Sequence, residues 1–563
     1  MKTKKHILGC VSLLLALALC CPVGVSAASQ DKPVVNYLQY PDEALTEFSP
    51  VMLDRISSGD DYASNCGYDE TGVFVSPYYT ACANGARVPV YASLTYCYTG
   101  NTGVLESYSY IFTGSGGEID VDFTLTASGF DITSARILPQ SAGLNAQLKD
   151  GEVTVSITDY GIYTFLVNGD SMSCAYTLFV RQDTDEDAQI EQYRRDYGSE
   201  NVTVFEKGVY SFDCLPALTD NSVLYFKRGS FISANHIYDL NSEEEYAALP
   251  GRQAFISAYN CSNAVIDGCG TLDFTKLDRK ERDAVGFSLT ENSRISGLIL
   301  LNSGSWTVIA YGSSELTIDN ITVIGYRTNN DGINICGCEN VTVSDSFCRN
   351  GDDCFSVKTT NDQYACNGVL FERCVGWSTK ARCFGITGEA VSDISDVTFR
   401  DCSVVYRDAT WDNDRVSSLA VEIEIGNAVI DNILFENIEI YRDTGRAINC
   451  IIYVEDVTDC TVSGVVFKNI SFNADVKSRL SADRDAEEPD GILGAFCRLL
   501  DIISPKSGAA IRSLIQWLSF GKASLNSMEI YFENVTANGT AVTAYNLYEF
   551  FDVGGDCSAT VRE

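Results

Sequence analysis

The chain has 563 residues, is 45% hydrophobic and carries a formal charge of −36. That length exceeds one ordinary compact domain, so either two domains or a repeat architecture is expected. So strong an acidic balance argues against nucleic acid as a partner and disfavours polyanions generally.

Residues 1–27 read as a secretory signal: a charged start at Met1-Lys2-Thr3-Lys4-Lys5, an apolar run from Val11 to Leu19, and small residues at Val25-Ser26-Ala27. Bulky Leu19 before Cys20 disfavours lipoprotein anchoring. No later apolar stretch is long enough for a membrane span, so a secreted, extracellular monomer is expected. Residues 28–87 show no clear period and suggest extra strands or an N-terminal wrap. From 88 to 182 short alternating strands such as Val153-Thr154-Val155-Ser156-Ile157 and Tyr163-Thr164-Phe165-Leu166-Val167 predict a β-sandwich. Residues 183–200, opening on Asp183-Thr184-Asp185-Glu186-Asp187, read as an acidic linker.

From 201 to 563 one pattern recurs: Ile266-x-x-Cys269, Ile295-x-x-Leu298, Ile318-x-x-Ile321, Val343-x-x-Ser346, Phe371-x-x-Cys374, Phe399-x-x-Cys402, Phe435-x-x-Ile438, Phe467-x-x-Ile470 and Phe532-x-x-Val535. The steps run from 23 to 36 residues, then 65 at the last. Short β-branched strands at such a period predict a parallel β-solenoid, whose coils bury their apolar faces only by stacking. The fold class expected is therefore all-β, a sandwich followed by a right-handed parallel β-helix. The long last step holds an insertion, 476–527, whose apolar spacing suits two amphipathic helices.

The repeat also reads the cysteines. Of 22, three leave with the signal, and the odd remainder cannot all pair internally. Cys269, Cys374 and Cys402 occupy a rung held elsewhere by Leu, Ile or Val, as buried small hydrophobes would; a Cys374–Cys402 bond is the alternative. No CxxC pair has zinc spacing, and His236 is the one histidine beyond the signal, so no metal and no organic cofactor is called for.

Two turns carry the chemistry. Asn330-Asp331-Gly332 is followed by Gly351-Asp352-Asp353-Cys354, and Asp331 and Asp352 lie 21 residues apart, one short coil. Coils stack about 4.8 Å apart, so these carboxylates can share one site, as acid and base do in glycoside hydrolysis. Gly351 suggests a bend that lets both Asp352 and Asp353 reach it.

These two turns, with Asn302-Ser303 and Trp306 a coil earlier, resemble the signature of polygalacturonases, the family 28 glycoside hydrolases. The sandwich ahead of the solenoid, and the opening coil Phe205-Glu206-Lys207-Gly208-Val209-Tyr210, are similar to the dextranase and isopullulanase family. The resemblance implies a polysaccharide or oligosaccharide substrate and an inverting reaction. Asp352 would be the general acid, with Asp331 and Asp353 holding and deprotonating the attacking water across the roughly 6.5–9.5 Å that inversion leaves for it.

Two departures bear on substrate. The segment matching the family's Gly-His-Gly motif, 379–388, has no histidine, and its Arg-Ile-Lys motif falls on Glu422-Ile423-Glu424. Acidic groups there would repel a uronate, which points to a neutral glycan. Candidate substrate-binding residues are Asn329, Tyr326 and Trp377 as sugar platforms or hydroxyl partners, Lys358 and Arg382 as cations near the aspartates, and Glu422 and Glu424 as outward-facing hydroxyl acceptors. Trp306 and Trp411 are further aromatic candidates. Two other readings compete: a polysaccharide lyase or epimerase, which needs calcium-binding carboxylates and a basic Arg or Lys, and a non-catalytic glycan-binding β-helix.

Overall fold

The computed structural model describes residues 32–53, 70–97, 102–114, 119–169, 175–236, 254–408, 416–453, 457, 459–482 and 526–562. The signal reading of 1–27 and most of the helical reading of 476–527 lie outside them. The opening of that last segment, Ser478–Ser481, is a strand that joins the solenoid.

The described residues between 202 and 562 form one 31-stranded sheet, a right-handed β-helix whose strands pair in parallel with those of the coils before and after, apart from the antiparallel pair Thr536–Ala537 and Thr540–Ala541. Its interior is apolar, and the recurring Phe positions build an aromatic column. Phe371, Phe399, Phe435, Phe467 and Phe532 stack with ring centroids 4.8, 4.9, 4.8 and 5.5 Å apart. That is the coil spacing itself, so one ring per coil stacks face to face. At the turn after this column, Asn437, Asn469 and Asn534 adopt positive φ and chain their amides from coil to coil at 2.8 Å. The sixteen cysteines among the described residues are free thiols. Cys374 and Cys402 sit within the apolar interior rather than forming a bond.

Upstream, a seven-stranded and a five-stranded sheet face each other across a core that includes Phe123, Phe165 and Tyr176. The strands Asn36–Tyr37, Phe74–Val75, Tyr79–Ala83 and Ala86–Val88 belong to these sheets, so the segment 28–87 supplies extra strands. One expectation changes here. The acidic stretch 183–200 is not an open linker: Glu186–Tyr197 is a helix, N-capped by Asp185, with acidic residues in its first turn and Arg194 and Arg195 in its last, as the helix dipole favours. The sandwich also packs directly on the β-helix. The strand Thr102–Thr113 is buried along almost its whole length because its second face packs on the β-helix. Tyr108, Tyr110, Phe112 and Phe179 meet Ile299, Ile324, Phe347 and Trp377 there.

Candidate active site

Coil register brings the two aspartate turns together. Trp306, Asp331, Asp353 and Arg382 occupy one position in four successive coils, joined by Thr307, Gly332 and Cys354 amide bonds to the carbonyls of Asp331, Asp353 and Arg382. Asp331 is therefore level with Asp353, and Asp352 projects from the turn before it. Both glycines of the motifs are there for close approach. A Cβ on Gly351 would lie against the carbonyl of Arg327, and one on Gly332 against the carbonyl of Cys354 and the Cys348 sulfur. Asn330 ties the two turns, its Oδ1 accepting from the Gly351 amide at 2.8 Å.

One carboxylate oxygen from each of Asp331, Asp352 and Asp353 lies within 4.8 Å of the others. These facing oxygens lie closer than the roughly 6.5–9.5 Å expected between the two carboxyl groups of an inverting pair. Asp331 and Asp353 are buried and Asp352 is half-buried. Asp352 is set by two amide donors, Asn329 at 2.9 Å and Asp353 at 3.0 Å. Asp331 accepts from Asn334 Nδ2 at 3.1 Å, and Asn334 is in turn held by the Ser356 hydroxyl.

Two cations balance the cluster. Lys358 Nζ stands 3.5 Å from Asp331, 3.4 Å from Asp353 and 3.6 Å from Glu389. Burial works against its charge, but these carboxylates hold it protonated. The Asp331–Asp352–Asp353 oxygens are close enough to share a cation, and the ammonium already supplies one to two of them. Arg382 donates its amide to Asp353 Oδ1 at 3.2 Å and brings Nη1 to 3.5 Å.

The three carboxyls are consequently unequal. Burial, then the Asp352 charge, pushes Asp331 well above the usual carboxylate range. Burial, then Asp353, pushes Asp352 up. Burial pushes Asp353 upward too, but Arg382 and Lys358 outweigh it and hold this group below its ordinary value. The cluster can thus keep a proton on one carboxyl while another stays ionised, as acid/base chemistry needs.

Other candidates land differently. Tyr326 and Trp377 are not platforms: both are buried where the sandwich covers the helix. Tyr326 packs with Phe74, Ala92 and Leu94. Trp377 is 0% exposed with the Arg349 guanidinium 3.7 Å over its ring. The half-buried indole near the carboxylates is Trp306, with Lys358 Nζ 5.0 Å from its centroid. Asn329 is not on a strand face but in a left-handed turn conformation, φ 63°. Its Oδ1 is taken by Arg279 at 2.6 and 3.0 Å, and its amide holds Asp352.

Glu422 does not face outward. It is 0% exposed, accepting from Arg382 Nε at 2.6 Å and Ser417 Oγ at 3.3 Å. Burial raises its pKa to about 7 despite the guanidinium. Glu424 is partly exposed and takes Arg382 Nη2 at 2.9 Å. The alternation behind the outward expectation is present, with Val421 and Ile423 in the core. What it missed is Arg382, 40 residues earlier, reaching across to cover both carboxylates. Arg279, Asn334, Ser356 and Glu389 were also missed. Only Asn334, three residues after Asp331, carried a local signal.

Residues 240–487, less than half of the chain, match the model of "Glycosyl hydrolases family 28". A "Probable polygalacturonase" of Vitis vinifera is 35% identical over 109 residues, 18% of this chain and 22% of that one. An "Exopolygalacturonase" of Zea mays is 25% identical over 259 residues, 42% of this chain and 61% of that one. The chain therefore spans less than two thirds of the length of these relatives. Among solved structures, Dex49A from Penicillium minioluteum superposes with a TM-score of 0.52 at 13% identity, covering 88% of this chain and 96% of its own, a likeness of fold. The chain carries a right-handed β-helix set behind an N-terminal β-sandwich, and residues 240–487 of it are similar to the family 28 glycosyl hydrolases.

Proposed function

We propose that the protein is a secreted glycoside hydrolase that cleaves a neutral glycan with Asp352 as general acid and Asp353 as base. The observation that carries this reading is the meeting of three carboxylate oxygens within 4.8 Å, with Lys358 and Arg382 beside only some of them. Asp352 is raised and half-buried, so it holds a proton to give to the leaving oxygen. Asp353, held ionised by its two cations, draws the proton from water. Asp331, anchored by Asn334, holds that water through hydrogen bonds rather than removing its proton. Export by residues 1–27 belongs to the same reading.

The neutral substrate follows from Arg382. Its charge is met by Glu422, Glu424 and Asp353, so it offers no free cation to a uronate carboxylate. Family resemblance supports inversion, with water placed over the Asp331–Asp353 pair. The close spacing of the oxygens favours a second reading, retention through a glycosyl-enzyme intermediate, for which about 5–5.5 Å is usual. A screen of neutral and acidic polysaccharides, with the first product anomer read by proton NMR, tests both. New reducing ends from a neutral glycan in the inverted anomer are expected; the retained anomer selects the second reading. Absence of cleavage, or unsaturated sugar ends, contradicts both.

A further inference from the structure

We propose that Tyr259 and Tyr311 are stacking platforms for a glycan chain lying along the β-helix axis on the N-terminal side of the three aspartates. The identity of the ligand rests on the hydrolase reading, whereas the exposure and register of the two tyrosines do not.

The strands Ile256–Tyr259, Val285–Ser288, Val308–Tyr311, Ile333–Cys336 and Phe355–Thr359 pair in register. Tyr259, Ser288, Tyr311, Cys336 and Lys358 thereby form one column. The alternate residues Ile256, Ala258, Val308, Ala310, Ile333, Ile335, Phe355 and Val357 face the apolar interior. The column therefore lies on the outer face, and it ends at the ammonium that touches Asp331 and Asp353.

Two tyrosines on this face are not buried. Tyr259 is 67% exposed, among the most exposed large side chains described. Tyr311 is half-buried and fixed: its hydroxyl accepts from Asn361, and Tyr364 meets its ring edge-on at 5.7 Å. Ser288 between them is small. The two aromatic rungs are two coils apart, about 9.6 Å, and Tyr311 is the same distance from Lys358. An evenly spaced aromatic track with a small residue between rungs suits successive sugar rings, whose C–H faces stack on aromatic faces while their hydroxyls stay in water. Beyond Tyr311 the column continues through the buried Cys336 and Lys358 to the carboxylates, and this alignment commits its occupant to the chain being cut.

The test uses the full-length protein and two probes of neutral glycan, dextran and laminarin, with polygalacturonate as the acidic comparison. Binding is measured by affinity electrophoresis in the Asp352→Asn background, with and without Tyr259→Ala and Tyr311→Ala. The double tyrosine variant is expected to weaken retention by a bound neutral glycan about tenfold. In the active protein the same pair should raise KM, with the loss largest on polymer and shrinking as the oligosaccharide shortens. Unchanged retention, or an equal loss at every chain length, overturns the track. Retention that depends on the tyrosines without any hydrolysis by the wild type upholds the track and overturns the hydrolase reading. Thermal melting of each variant separates these results from misfolding.

Discussion

Arg349 and Glu106 form an ion pair in which both side chains are 0% exposed, one on the β-helix and one on the sandwich. Arg349 also lies over the Trp377 ring and begins the run Arg349-Asn350-Gly351-Asp352-Asp353. The sandwich thus grips the strand that delivers two of the three aspartates. Removing one partner of such a pair strands a charge out of water, which costs about 3–5 kcal/mol, whereas an apolar replacement of both is far milder. Glu106→Gln should lower unfolding free energy by about that amount in chemical denaturation, and Glu106→Leu with Arg349→Met should recover much of it. A loss below about 1 kcal/mol from Glu106→Gln contradicts the grip.

The aromatic column makes a second stability prediction. Phe435 touches a ring above and a ring below at 4.9 and 4.8 Å and is fully buried. Phe435→Ala leaves a cavity between both neighbours and should cost about 3–5 kcal/mol, read from the shift in the denaturation midpoint.

The pH dependence of kcat/KM follows from the unequal carboxyls. Asp353 is held low and must be ionised, so the acid limb should lie below the ordinary carboxylate range. Asp352 is raised and must be protonated, so the alkaline limb should lie above it. Lys358→Met removes a positive neighbour 3.4 Å from Asp353. That loss favours the protonated form, so the acid limb should move to higher pH by about one unit. A limb that stays in place contradicts the role given to Lys358.

Substrate charge should respond to the carboxylates around Arg382. Glu422→Gln with Glu424→Gln removes two acidic groups and leaves the guanidinium with Asp353 alone among the acids paired to it. The ratio of polygalacturonate affinity to neutral-glycan affinity should rise about tenfold, close to 1.4 kcal/mol. An unchanged ratio means that Arg382 does not set the preference.

The solenoid was legible because its period is written in residue types: Phe371 to Phe532 recur at one rung, and the Asn turns follow them. The aspartate turns were legible for the same reason, since coil spacing converts sequence distance into contact. Tyr326 and Trp377 were misread because their exposure depends on the sandwich, which packs over that face from more than 200 residues upstream. Glu422 failed likewise: its strand alternation is present, but a side chain from the preceding coil closes over it. The helix Glu186–Tyr197 carries its cap and end charges in the sequence, but its opening run of acids reads equally as a solvated linker.

In the proposed reaction Asp352 gives a proton to the leaving oxygen of a neutral glycan. Release of reducing ends from dextran and laminarin by wild type and Asp352→Asn, each checked by circular dichroism, tests it most directly. The wild type should release them from at least one of these glycans, faster than from polygalacturonate, and a folded Asp352→Asn should do so at least about 100-fold more slowly. Equal rates from the two proteins, or a wild type that prefers polygalacturonate, would contradict it.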